Sequence, residues 1–248
     1  MRVVAVPCLA DNFAYLVIDG TKAAVVDPGE APPVEAALAR EGVQLAQIWA
    51  THHHGDHVGG VGALVARRPG LPVIAGERDA PKIAHVTRAL ADGDAFTFGA
   101  LHVRVIHNPG HTLGAISFVV GDAVFTGDTL FGGGCGRVFE GDAAMMHASL
   151  MKLAALPPET RVFFGHEYTA ANLKFAGAVE PDSLDVAQRA ANIPSPSTPS
   201  TIALERATNP FLRAASPDVV IAAMNRGVAG DPVSVFGAIR AWKDQFRG

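Results

Sequence analysis

The chain has 248 residues, 49% of them hydrophobic and 18% charged, with a formal net charge of −4. That composition describes a globular protein with one large core, or one core and a small appendage, and excludes a disordered chain. The acidic balance excludes a nucleic-acid binder, which needs a cationic surplus to neutralise phosphates.

The N-terminal stretch "MRVVAVPCLADNFAYLVIDG" is apolar but interrupted by Pro7, Asp11 and Asn12. It reads as two strands and a turn, not as a signal peptide. "KAAVVD" is a third strand, and "APPVEAALAREG" a helix with prolines at its start and Gly42 past its end. Next come a strand over "QLAQIWA", a helix over "GGVGALVARRPG", and strands over "PVIAG", "LHVRVI", "AISFVV", "AVFTGD" and "RVFFGH". A helix over "AAMMHASLMKLAAL" separates the last two strands. After His166 the texture turns helical, with "EYTAANLKFAGAVE", "SLDVAQRAAN" and the tail "PVSVFGAIRAWKDQFRG". "IPSPSTPS", residues 193–200, reads as a Pro/Ser linker. The expected division is a mixed α/β domain over residues 1–170 and a smaller helical domain over 171–248. The apolar runs are too short for a transmembrane helix. Only two cysteines occur, Cys8 and Cys135, far apart. They exclude a disulfide framework and fit a reducing, cytoplasmic setting.

Metal-competent side chains stand directly after several of these strands. "THHHGDH" at 51–57 is one such place; "HNPGH" delivers His111, "TGD" delivers Asp128 and "FFGH" delivers His166. Strand ends gathered along one edge of packed sheets would bring such residues together. An extended start places His52 and His54 on one side, and a turn through Gly55 swings Asp56 and His57 to a neighbouring point. Two points with different ligand sets suggest two metals. A carboxylate such as Asp128 is the natural bridge between cations about 3.5–4 Å apart. Nitrogen and oxygen donors without thiolate suit zinc, and also iron or manganese. His53, His85, His102, His107 and His147 fall outside this pattern and read as ordinary histidines, although His53 and His107 could tune neighbouring ligands. Cys135 in "GGGCGR" reads as a small side chain in a tight glycine loop, since no base pairs with it in the sequence. Asp27 in "VVDPG" reads as a structural turn contact, with a hydrogen bond to a ligand histidine as the sharper option.

"THHHGDH", "HTLG", "TGD" and "GHEY" resemble the metallo-β-lactamase superfamily. "DNFAYLV", "CGRVFEG", "GHEYTAANLKFA", "NPFLR" and "IRAWKDQF" are similar to its glyoxalase II family of hydroxyacylglutathione hydrolases. The resemblance implies an αβ/βα sandwich with a smaller C-terminal helical domain. It implies one metal held by His52, His54 and His111, a second held by Asp56, His57 and His166, and Asp128 bridging both. It further implies that Asp56 and Asp128 take part in catalysis, and that Arg137, Phe139, Tyr168, Arg240 and Lys243 line the glutathione site. Where the family often has lysine the chain has Arg137. Where it often has tyrosine the chain has Phe139, which lacks the hydroxyl.

The implied chemistry is hydrolysis of S-D-lactoylglutathione by a monomeric enzyme in methylglyoxal detoxification. A metal lowers the pKa of the water it holds to roughly 7, which provides a nucleophile for a thioester carbonyl. The leaving thiol, of pKa about 8.5, departs without strong acid assistance. A lactonase and a mononuclear iron persulfide dioxygenase are the alternatives within the superfamily. A non-catalytic metal-binding module is the alternative outside it, although structural zinc sites commonly close with four ligands including cysteine.

Overall fold

The structure, a computed structural model, describes residues 1–228 and 230–247. Gly248, the end of the expected tail helix, lies outside the described residues. Two compact units emerge: residues 1–107 with 112–127, and residues 108–111 with 128–247.

The first unit opens with an antiparallel meander of β1 (Arg2–Cys8), β2 (Asn12–Asp19) and β3 (Lys22–Val26). Helix α1 (Ala31–Glu41) then crosses over to β4 (Gln44–Ala50), which pairs parallel with β3. Pro32 and Pro33 suit the first turn of α1, and Gly42 takes the left-handed conformation (φ 66°) that ends it. A single turn α2 (Gly55–Val58) and helix α3 (Val61–Arg67) precede the parallel strands β5 (Val73–Gly76) and β6 (Arg88–Leu90). The sheet order is β1-β2-β3-β4-β5-β6. Strands β7 (Ala95–Phe98), β8 (Leu101–His107), β9 (Ile116–Val120) and β10 (Ala123–Gly127) come next as antiparallel neighbours.

Alternation decides which faces meet. Trp49 of β4 points at this second set of strands, with ring centroids 5.4 Å from Phe96, 5.7 Å from Phe98 and 5.4 Å from Phe118. All four rings are buried. Burying each contributes roughly 1.5–3 kcal/mol, enough to fix two sheets face to face. On the other side of the first sheet, Val34, Ala37 and Leu38 of α1 and Leu64 of α3 pack with Leu16, Val25 and Ile48.

The second unit carries the hairpin β11 (Leu130–Phe131) and β12 (Gly134–Cys135), then α4 (Ala143–Ala154), capped by the Asp142 carboxylate. Strand β13 (Arg161–Phe164) pairs antiparallel with β14 (Ser200–Thr201). The helices are α5 (Thr169–Val179), α6 (Leu184–Ala191), α7 (Ile202–Thr208), α8 (Pro217–Met224) and α9 (Pro232–Gln245). Their core is aromatic: Phe175 and Phe211 stack at 6.0 Å, and Phe211 meets Phe236 at 5.7 Å.

Residues 193–200 are not a loose linker. Ser197, Thr198 and Ser200 are buried, the Ser197 N–H donates to Glu167 Oε2 at 2.9 Å, and Arg189 donates to Ser200 Oγ at 3.1 Å. Hydroxyl groups that read as solvated in the sequence find ionic partners in the fold. Among the described residues, no helix is long and apolar enough to cross a membrane.

Candidate metal centre

In the first unit the chain leaves β4 at Ala50 through a short loop that carries His52 and His54, then enters α2, which carries Asp56 and His57. Behind them lies Asp27, a carboxylate only 4% exposed, at the end of β3 with φ 50°. Its Oδ1 accepts from the Thr51 N–H at 2.7 Å, and its Oδ2 accepts from the Thr51 hydroxyl at 2.6 Å and from His57 Nδ1 at 3.0 Å.

This network fixes tautomers. An ionised carboxylate only accepts, so His57 carries its proton on Nδ1 and keeps the Nε2 lone pair for a cation. Thr51 gives its single hydroxyl proton to Asp27, so its oxygen accepts from His52 Nδ1 at 3.1 Å. His52 Nε2 is thereby left unprotonated, 3.1 Å from His54 Nδ1. Asp27, His52 and His57 offer donor atoms within 4.8 Å of one another. With its oxygens committed to Thr51 and His57, Asp27 acts as the holder of that group and not as a ligand. The sharper of the two readings of Asp27 is the one the geometry favours.

Two further supports are given no role by the sequence, although Asn12 lies within "DNFAYLV". Asn12 donates through Nδ2 to Asp56 Oδ2 at 3.0 Å and to the Asp56 carbonyl at 3.2 Å. Buried Asp79 accepts through Oδ2 from the His53 N–H at 3.1 Å and from the Thr112 hydroxyl at 2.9 Å, with the His53 ring nitrogen Nδ1 2.9 Å away. The His53 backbone thus ties the 51–57 loop to Asp79. Gly29 is required here, because a Cβ on it would stand 2.2 Å from the Asp56 carbonyl oxygen.

In the second unit Asp128 Oδ2 lies 3.4 Å from His111 Nε2 and 3.3 Å from His166 Nε2. One carboxylate oxygen between two imidazole nitrogens is an arrangement that a cation would satisfy. His111 donates from Nδ1 to the Arg137 carbonyl at 2.8 Å, which again leaves Nε2 as the donor atom. His166 stacks on Tyr168 at 4.7 Å and 3°, and His111 lies 5.2 Å from the Phe139 ring. Tyr168 is 38% and Phe139 61% exposed, so both present an open aromatic surface.

Arg240 is 7% exposed. It donates to the Cys135 carbonyl and to Asp244 Oδ1, each at 3.0 Å, and lies over the Phe211 ring. Asp244 also stands 3.7 Å from Arg137, so an acidic residue within "IRAWKDQF", given no role by the sequence, sits among the expected cations. Lys243 donates to the Ala171 carbonyl at 3.1 Å. Burial first, and then the Arg240 charge, hold its ammonium pKa down to about 8. Burial pushes the Cys135 thiol up, which makes it a poor nucleophile.

Imidazole and carboxylate donors with preset tautomers and no thiolate fit a divalent cation. The metallo-beta-lactamase superfamily model matches residues 10–166, and the chain belongs to that superfamily. The model of the hydroxyacylglutathione hydrolase C-terminus matches residues 167–246. A hydroxyacylglutathione hydrolase of Cupriavidus metallidurans is 47% identical over the whole of both chains, and one of Alkalilimnicola ehrlichii is 49% identical over 98% of this chain and 99% of its own. Within the superfamily, the chain belongs to the hydroxyacylglutathione hydrolases. Among solved structures, TTHA1623 in a di-iron-bound form is 31% identical, with a TM-score of 0.63, covering 86% of this chain and 100% of its own. ETHE1 from Myxococcus xanthus is 26% identical, with a TM-score of 0.67 and 98% coverage of both chains.

Proposed function

We propose that the chain hydrolyses S-(2-hydroxyacyl)glutathione, S-D-lactoylglutathione above all, to glutathione and the free 2-hydroxy acid, D-lactate, as the thioesterase of methylglyoxal detoxification. The observation that carries this is the span of the likeness. Relatives named hydroxyacylglutathione hydrolase match at 47–49% identity from end to end, including the C-terminal family region.

His52, His54 and His111 would hold one cation and Asp56, His57 and His166 a second, with Asp128 shared between the two groups. The preset tautomers of His52, His57 and His111 support this assignment. A two-ion centre also agrees with the di-iron-bound form of TTHA1623. Zinc is the first expectation, with iron or manganese admitted by the same donors.

When bound, the cations supply Lewis acidity, which makes water nucleophilic near neutral pH and stabilises charge developing on the carbonyl oxygen. Asp56, held by Asn12, orients the attacking water, and Asp128 fixes the spacing of the two ligand groups. Tyr168 and Phe139 offer ring surface to the thioester, while Arg137, Arg240 and Lys243 supply positive charge for the glutathione carboxylates. Residues 1–170 carry the chemistry and 171–248 the selectivity for glutathione. The enzyme works as a monomer in the cytoplasm, where Cys8 and Cys135, both free and buried, stay reduced.

Side-by-side assays of S-D-lactoylglutathione, an acyl lactone and glutathione persulfide test the reading. Turnover of the thioester far above the other two is expected. Oxygen consumption with the persulfide and no thioester cleavage would overturn it.

A further inference from the structure

The glycine-rich hairpin of residues 130–137 is gripped by helices from later in the chain. Asn172 of α5 donates to the Gly132 carbonyl at 3.1 Å. Asn209, just past α7, donates from Nδ2 to the Gly134 carbonyl at 2.9 Å and reaches the Phe131 carbonyl at 3.4 Å. Glu205 of α7 accepts from the Gly133 N–H at 2.8 Å and from Asn209 Nδ2 at 3.1 Å. Arg240 of α9 takes the Cys135 carbonyl. All four side chains are buried. Glycine makes the grip possible: a Cβ at Gly134 would stand 2.5 Å from the Asn172 amide, and one at Gly132 would stand 2.3 Å from Thr169 Oγ1.

The far end of this hairpin is where the chemistry enters. Gly136 packs on the Asp128 carbonyl, closing to 2.0 Å of where its Cβ would be, and its N–H donates to the Thr129 carbonyl at 3.3 Å. The next carbonyl, of Arg137, accepts the Nδ1 proton of His111. A backbone carbonyl can aim a histidine only as well as the backbone itself is held.

We propose that Asn209, buttressed by Glu205, is a positioning residue for the metal ligand His111, acting through the 131–137 hairpin and the Arg137 carbonyl. The helical tail then has two roles, holding substrate and aiming a ligand. This rests on the reading of His111 as a ligand.

The test is chelator competition for zinc on the full zinc-loaded chain, with kcat and KM for S-D-lactoylglutathione measured alongside. Asn209→Asp keeps the shape, cannot donate to the Gly134 carbonyl, and sets a second carboxylate beside Glu205. It is expected to weaken zinc binding about tenfold, as loss of an outer partner does, and to lower kcat with little change in KM. Val235→Ala, buried in α9 and making none of the hydrogen bonds that grip the hairpin, controls for general loosening and should leave zinc affinity unchanged. Should Asn209→Asp be insoluble, Asn172→Ala carries the same test through the Gly132 carbonyl. Unchanged zinc affinity in these hairpin variants, or an equal loss in Val235→Ala, would overturn the inference. His111→Ala separates the two readings: wild-type zinc affinity in that variant would mean that the ligand assignment itself had failed.

Discussion

In the first compact unit the metal-competent side chains fall within residues 52–57, and other side chains hold them: Asp27 holds His57 and, through Thr51, His52, while Asn12 holds Asp56. In the second unit His111, Asp128 and His166 come from three distant points of the chain, and the holder of His111 is a backbone carbonyl. The difference has a practical meaning. A carboxylate that sets a tautomer can be removed by one substitution. A carbonyl can only be displaced, by altering the residues that grip its loop.

The comparison can be broken outright at Asp128, which lies between two histidines. Asp128→Ala should lower kcat for S-D-lactoylglutathione by more than about 100-fold, beyond what loss of an outer partner costs, and should reduce bound metal per chain. Activity and elemental analysis on one sample check both.

Asp27→Asn sharpens the contrast. It can no longer accept in the same way from both Thr51 and His57, so metal affinity in chelator competition should fall about 10–100-fold. The hairpin of the second unit, being held independently, should keep its hydrogen-exchange protection.

Lys243 gives a smaller effect with a pH signature. Its pKa is lowered to about 8, so it is cationic below that pH and neutral above it. A charge-assisted hydrogen bond contributes about 1.5–3 kcal/mol, so Lys243→Met should raise KM about tenfold at pH ~7. Wild-type KM should climb as pH passes through about 8, and the variant should show a flatter profile. Tyr168→Phe should change least. It removes a neutral hydroxyl and keeps the ring stacked on His166, so KM should rise about threefold with kcat held.

The same division separates the legible part of the site from the rest. "THHHGDH" is contiguous, and its spacing alone suggests a ligand loop. His111, Asp128 and His166 could be found only by inspecting the residue just beyond the end of each strand. The holders were harder still. Asn12 lies 44 residues from Asp56, and Asp79 lies 26 from His53, so only the folded sheet joins them. Glu205 looks like an ordinary helix-surface residue, and Asn209 figures only as the first residue of "NPFLR", until the fold buries both against the hairpin. Strand β6 spans three residues and β7 four, too short for alternation to declare itself. The resemblance puts Arg240 at the glutathione site, but its enclosure by Asp244, Phe211 and the Cys135 carbonyl rests on contacts that periodicity does not reveal.

The central proposal is that this chain is a two-metal thioester hydrolase. Its most direct test is to strip the chain of metal and titrate zinc back, measuring bound zinc and S-D-lactoylglutathione hydrolysis on the same aliquots. Activity should rise to a plateau as the second equivalent per chain is bound. A plateau at one equivalent, or zinc uptake without hydrolysis, would contradict the account.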